Sequence, residues 1–166
     1  MGKLSNKKCG VITCMVLALG ISGCGVEKKK EDKSAAAQKE VEKVISEQVK
    51  AINQKEIDDY MKTYSKEINA YDAIKKENEI LFDEYDVKIT MDRMQVLSIN
   101  DKYATIETKT TAKNKDKSAD YTDNVVKMRH VLEKEKNKWV ITSQGLLNAE
   151  TLDGKSLIKE SYGKKS

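Results

Sequence analysis

Proline is missing from all 166 residues, and the aromatic residues other than tyrosine are one tryptophan and one phenylalanine. Without proline, no strand is marked as an edge by a lost amide hydrogen, so glycine, asparagine and aspartate must punctuate the chain. Histidine occurs once, as His130, and the three cysteines, Cys9, Cys14 and Cys24, all fall in the first 24 positions. So few soft ligands cannot assemble a zinc site. The segment Asn114, Asp116, Ser118 has the spacing of a calcium loop, but Ala119 stands where glycine is required and Val125 where the bidentate glutamate belongs. No metal and no cofactor is implied. There is no glycine-rich phosphate loop, no Ser/His/Asp spacing of the catalytic kind and no localised basic stripe, which argues against nucleic acid as a partner. The 31 basic and 27 acidic residues give a formal charge of +4 and intermingle along the chain, as on a solvated surface.

What is present begins at the N-terminus. Lys3, Lys7 and Lys8 precede an apolar stretch, Val11 to Leu19, which is too short for the ~18–20 residues that cross a bilayer as a helix. Small residues follow, leading through Ile21-Ser22-Gly23 into Cys24. This closing stretch resembles the lipobox of bacterial lipoproteins. The resemblance implies cleavage between Gly23 and Cys24, a diacylglyceryl group on the Cys24 thiol, and attachment to the outer face of a cell membrane. Removal of residues 1–23 takes three lysines and no acids, leaving 143 residues and a formal charge of +1. The remaining cysteine would be acylated, so no disulfide can form and stability must come from a hydrophobic core. Residues 24–34 read as a charged tether. The Lys28–Lys30 run is flanked by Glu27, Glu31 and Asp32, which fits a solvated linker better than a headgroup-binding patch.

From residue 35 the apolar spacing becomes helical, with Ser34 as the expected N-cap. Ala37, Val41, Val44, Ile45 and Ile52 recur at intervals of three, four and seven. A break at Asn53-Gln54-Lys55 leads to a short helix lined by Ile57, Tyr60, Met61 and Tyr64. Residues 65–69 connect it to a third helix carrying Tyr71, Ile74, Leu81, Phe82 and Tyr85. The period then drops to two. Val87, Ile89 and Met91 alternate, and Met94, Val96 and Ser98 resume one position out of phase, which predicts a β-bulge at Asp92-Arg93. Asn100-Asp101 reads as a turn, residues 103–111 as a Thr-rich strand, and residues 121–133 as a strand with Val126, Met128, His130 and Leu132 on one face. A hairpin turn over Glu135–Lys138 leads into a last strand from Trp139 to Gln144, followed by a weakly patterned tail that is polar from residue 151. Helices first and strands after predict an α+β domain over residues 35–150: N-terminal helices packed on a strongly curved antiparallel sheet of about four strands.

The stretch Ala51 to Tyr64, and the late hairpin made of Asp123–Leu132 and Lys138-Trp139-Val140-Ile141, are similar to the nuclear-transport-factor-2-like superfamily, which includes SnoaL-like cyclases and ketosteroid isomerases. The resemblance covers roughly residues 36–146. It implies a cystatin-like cone, a curved sheet wrapped around helices and open at one end into a pocket. Catalytic members of that superfamily place an Asp or His inside the cone, so two readings of His130 arise. As a general base it would need a carboxylate to orient it. As a buried structural residue it would titrate below its ordinary value near 6.5. Its same-face neighbours Met128 and Leu132 favour the second, and no residue is assigned a catalytic role. Tyr60, Tyr64, Tyr121 and His130 are the expected pocket residues. Asp58 and Asp59 open the second helix, where carboxylates usually serve the helix dipole, and Asp123 is placed to cap its own turn.

The functional expectation is a membrane-tethered extracytoplasmic lipoprotein. Its domain would be a non-catalytic binding module for a small apolar ligand, an envelope component or a partner protein. The alternative is a small cofactor-free enzyme of isomerase, dehydratase or cyclase type. The superfamily resemblance further implies a homodimer through the open face of the sheet.

Overall fold

The computed structural model describes residues 24–116 and 120–158, with side chains from residue 34 onward. Three helices, α1 (Cys24–Gln54), α2 (Ile57–Met61) and α3 (Tyr71–Glu84), precede four strands, β1 (Val87–Ile99), β2 (Tyr103–Asn114), β3 (Asn124–Glu135) and β4 (Lys138–Thr151). The strands form one antiparallel sheet in the order β1-β2-β3-β4, the α+β architecture expected. The expected signal segment, with the expected cleavage position at Gly23, lies outside the described residues, as does the Cys24 side chain.

Helix α1 buries Val41, Ile45, Gln48 and Ala51, with Ala37, Val44 and Ile52 packed beside them. It starts at Cys24, so Ser34 lies inside the helix and the charged stretch 24–34 is helical rather than irregular. Glu and Lys are strong helix formers, and neither glycine nor proline interrupts the run after Gly25. The helix stops where the sequence suggested. Lys55 adopts φ 57°, its N–H bonds the Ile52 carbonyl (3.1 Å), and the Glu56 N–H bonds that of Ala51 (2.9 Å). This is a left-handed C-cap with a lysine in the position glycine normally takes. Asn53, in the last turn, clamps the free edge of β1. Its Nδ2 donates to the Ile89 carbonyl (2.9 Å) and its Oδ1 accepts from the Ile89 N–H (2.7 Å).

Helix α2 ends at Met61, so Tyr64 belongs to the following segment, which pairs with the free edge of β4. The Ser65 N–H donates to the Ile141 carbonyl and the Ile141 N–H to the Thr63 carbonyl, at 2.9 and 2.8 Å. Both open edges of the sheet are thereby partly covered.

The predicted bulge is present between Met91 and Arg93. A second one, between Val96 and Ser98, was not expected; it turns Ser98 outward and lets Ile99 pack on the core. Two more register shifts bend the β3–β4 pair, at Lys127/Met128 and Val131/Leu132. Bulges raise local twist and bend the strand, so four of them give the sheet its curvature. Asn100 holds the β1–β2 turn by accepting from the Lys102 and Tyr103 N–H groups (2.8 and 2.7 Å). The β3–β4 turn places Lys136 and Asn137 at φ 46° and 67°, the two positive angles of a tight two-residue hairpin. Strand β3 begins at Asn124 rather than residue 121. Strand β4 runs on to Thr151, beyond the expected end at Gln144, and residues 155–157 fold back along it through Thr151 N–H to Lys155 and Leu157 N–H to Ala149. Among the described residues no helix is long and apolar enough to cross a membrane.

Candidate functional site

The concave face of the sheet and the inner stripe of α1 enclose a cavity of about 210 Å³. The helix contributes Ile45, Gln48, Val49 and Ile52, which share one face because they are three, four and seven residues apart. β1 contributes Ile89 and Met91, and β2 contributes Thr108, Thr110 and Ala112, each set at the strand period of two. Tyr121, Asn124, Val126 and Met128 form another wall, with Tyr60 and Gln144 completing the lining. Among the described residues, none that lines the cavity is charged.

Behind this surface runs a buried hydrogen-bonded network of neutral groups. Gln48 Nε2 donates to the Tyr64 hydroxyl (2.9 Å), and that hydroxyl donates to Gln144 Oε1 (2.8 Å). With the Tyr64 proton so engaged, the Tyr60 hydroxyl, 2.8 Å away, must donate to Tyr64. Gln144 Nε2 lies 3.0 Å from His130 Nδ1, and His130 Nε2 lies 3.0 Å from Thr108 Oγ1. An amide nitrogen can only donate, so Nδ1 accepts and the imidazole proton sits on Nε2, directed at Thr108. Burial raises the Tyr60 and Tyr64 pKa values; the hydrogen bond with Tyr64 opposes the rise at Tyr60, and the neighbouring Tyr60 adds to the rise at Tyr64. His130 is 3% exposed, and burial alone lowers its pKa to about 4.

The four expected pocket residues thus belong to one place but not to one surface. Tyr60 and Tyr121 line the cavity, whereas Tyr64 and His130 sit behind it and hold its polar lining residues. Burial thus shifts the His130 pKa in the direction expected of a buried structural residue. Its Nδ1 lone pair is committed to Gln144 and its other nitrogen carries the proton, so it has no free site for taking a proton from a substrate. Asp58 and Asp59 are exposed, and Asp59 pairs with Lys62 (2.6 Å), whose hydrogen bond lowers the Asp59 pKa. Asp123 Oδ1 accepts from the Asn114 N–H at the end of β2 (2.8 Å). Asn114, the first residue of the rejected calcium pattern, uses its side chain on Asp86 N–H and the Asp116 carbonyl; Ser118 lies outside the described residues.

Gln48, Thr108 and Gln144 escaped the sequence reading. Thr108 carries a faint signal, because it alternates with Ile106 and Thr110 on the inward face of β2. Gln144 carries none. Alternation from Trp139 and Ile141 leads to Ser143, but the register slips at Val131/Leu132, leaving Thr142 unpaired and turning Gln144 inward.

Helices followed by a curved four-stranded antiparallel sheet that packs on them make the nuclear-transport-factor-2-like, or cystatin-like, fold. Solved structures share the fold. A Mycobacterium tuberculosis protein of unknown function is 10% identical with a TM-score of 0.65, over 80% of this chain and 83% of its own. A nuclear-transport-factor-2-like protein from Pseudomonas putida KT2440 is 13% identical with a TM-score of 0.60, over 75% and 96%. A candidate scytalone dehydratase from Novosphingobium aromaticivorans DSM 12444 is 9% identical with a TM-score of 0.62, over 81% and 99%. At such identities the likeness is one of fold. Within this class the chain belongs to the family described as the anti-sigma-I factor RsgI9, C-terminal domain, whose profile matches residues 43–152. No curated protein matches it in sequence.

Proposed function

We propose that the protein is a lipid-anchored, extracytoplasmic binding module, with its cone presented outside the membrane on a tether that begins at Cys24. The observation that carries the binding half of this reading is the chemistry of the cavity. Its walls combine aliphatic and methionine side chains with hydroxyl and amide groups, and the buried groups behind them are neutral and hydrogen-bonded to each other. Such a site selects a ligand without reacting with it. General acid–base catalysis needs a group that gains and loses a proton near the operating pH. His130, neutral and engaged at both nitrogens, is unsuited to that task. The tether rests on the Ile21-Ser22-Gly23-Cys24 pattern.

Native mass spectrometry of the protein released from its own membranes tests both halves. The expected spectrum shows a chain starting at Cys24 with a diacylglyceryl-sized addition, and a retained small molecule or partner that dissociates at higher collision energy. An unmodified chain retaining residues 1–23 would overturn the anchor. Turnover of a retained molecule during incubation would replace binding with catalysis.

A further inference from the structure

The donor and acceptor inventory of the cavity narrows the chemistry of its occupant, an inference that rests on the binding reading above. Thr108 receives the His130 Nε2 proton, which leaves its own O–H to donate. Gln144 spends one amide N–H on His130 and keeps the second. Tyr121 accepts from Asn124 Nδ2 (3.2 Å), so its hydroxyl proton is also available. These three residues line the cavity from β2, β4 and the segment before β3, amid Val49, Met91 and Met128. The network behind them fixes which of their hydrogens remain unspent. Among the described residues the surface is therefore largely apolar, with unspent donors and without charge.

We propose that this cavity binds a small uncharged molecule, a single ring with a short substituent, that presents an acceptor oxygen such as a carbonyl to Thr108, Gln144 or Tyr121. Size follows from volume. An apolar cavity of ~150 Å³ takes up benzene, and about 210 Å³ leaves room for a small substituent. Neutrality follows from the lining, since an anion or cation entering here would lose its hydration and find no counter-charge. The acceptor follows from the unspent donors, which a plain hydrocarbon would desolvate without replacing their water.

Three probes of similar shape separate these elements: acetophenone, isopropylbenzene and benzoate, each titrated at pH 8 into the full chain while backbone and methyl NMR shifts are followed. Acetophenone is expected to shift Val49, Thr108, Val126 and Met128, and to bind at least tenfold more tightly than benzoate and several-fold more tightly than isopropylbenzene. In Gln144→Met, acetophenone should lose part of its advantage over isopropylbenzene; in Val126→Trp, both should lose binding. Should Val126→Trp fail to fold, the shift map of the parent still locates the site. Benzoate binding as well as acetophenone overturns the neutral-ligand assignment. Equal binding of isopropylbenzene and acetophenone overturns the acceptor. No cavity shifts with any probe overturn the whole proposal, while the broader binding reading is judged separately by the retained mass described above.

Discussion

The side-chain amide of Gln144 donates to His130 Nδ1 across 3.0 Å, and this one contact fixes the tautomer of the only imidazole in the chain. It also makes protonation of His130 unfavourable, because a proton on Nδ1 would face the amide hydrogens. Burial lowers the folded-state pKa to about 4, whereas the unfolded value is near 6.5. Between these values the unfolded chain binds more protons than the native one, so stability rises with pH through this window. On acidification the loss begins below about pH 6.5 and is complete near pH 4, amounting to roughly 3 kcal/mol from this group. His130→Gln should flatten the stability profile in that window, as read by chemical denaturation at several pH values. An imidazole NMR titration with a midpoint at or above 6.5 would contradict the arrangement.

Asn53 stands in for a neighbouring strand, offering both an acceptor and a donor to Ile89 at the free edge of β1. Replacing it with alanine removes both bonds and uncouples the end of α1 from the sheet. The expected loss is about 1–2 kcal/mol in urea unfolding, given ~0.5–1.5 kcal/mol net per hydrogen bond. Hydrogen exchange at the Ile89 amide should accelerate in the same variant. Unchanged protection there would show that the clamp is not formed in solution.

Trp139 is 5% exposed, and its Nε1 donates to Glu40 Oε2 (3.0 Å) under the Lys134 ammonium. Trp139→Ala should cost ~3–5 kcal/mol. Trp139→Phe keeps much of the packing and isolates the bond to the surface carboxylate. Because that bond ends at the protein surface, it should account for a minor part of the loss. The fluorescence of the single tryptophan should be blue-shifted from the solvated value until the chain unfolds.

Lys55 occupies a left-handed conformation with φ 57°. Glycine adopts that region without the Cβ penalty, at the cost of a more flexible unfolded chain. The local term should win at a helix C-cap, so Lys55→Gly is expected to stabilise by about 0.5–1 kcal/mol. A melting temperature at or below that of the parent would place the break elsewhere.

Cys24→Ser should abolish incorporation of a labelled fatty acid and leave the protein as precursor or shed it into the medium. A single acyl chain holds a protein to a bilayer only marginally, and two chains hold it firmly. Continued labelling of Cys24→Ser would remove the lipid anchor from the proposed function.

The sequence alone determined everything that follows from local periodicity. Apolar residues three and four apart specified α1 and its inward face, the change to a period of two marked β1, and the phase slip after Met91 announced the bulge there. The positions of Trp139 and His130 on inward faces were legible for the same reason, because a side chain's face is a property of its own strand. Only the tertiary structure decided which polar side chains meet. The β3–β4 register slip turns Gln144 rather than Ser143 toward His130, and the cone brings Tyr64 and Gln144 together across 80 positions of sequence. The second slip in β1 likewise replaced Ser98 with Ile99. A bulge costs one residue of phase, so each of these slips, made in the pairing with a neighbouring strand, changes which residues beyond it face the core.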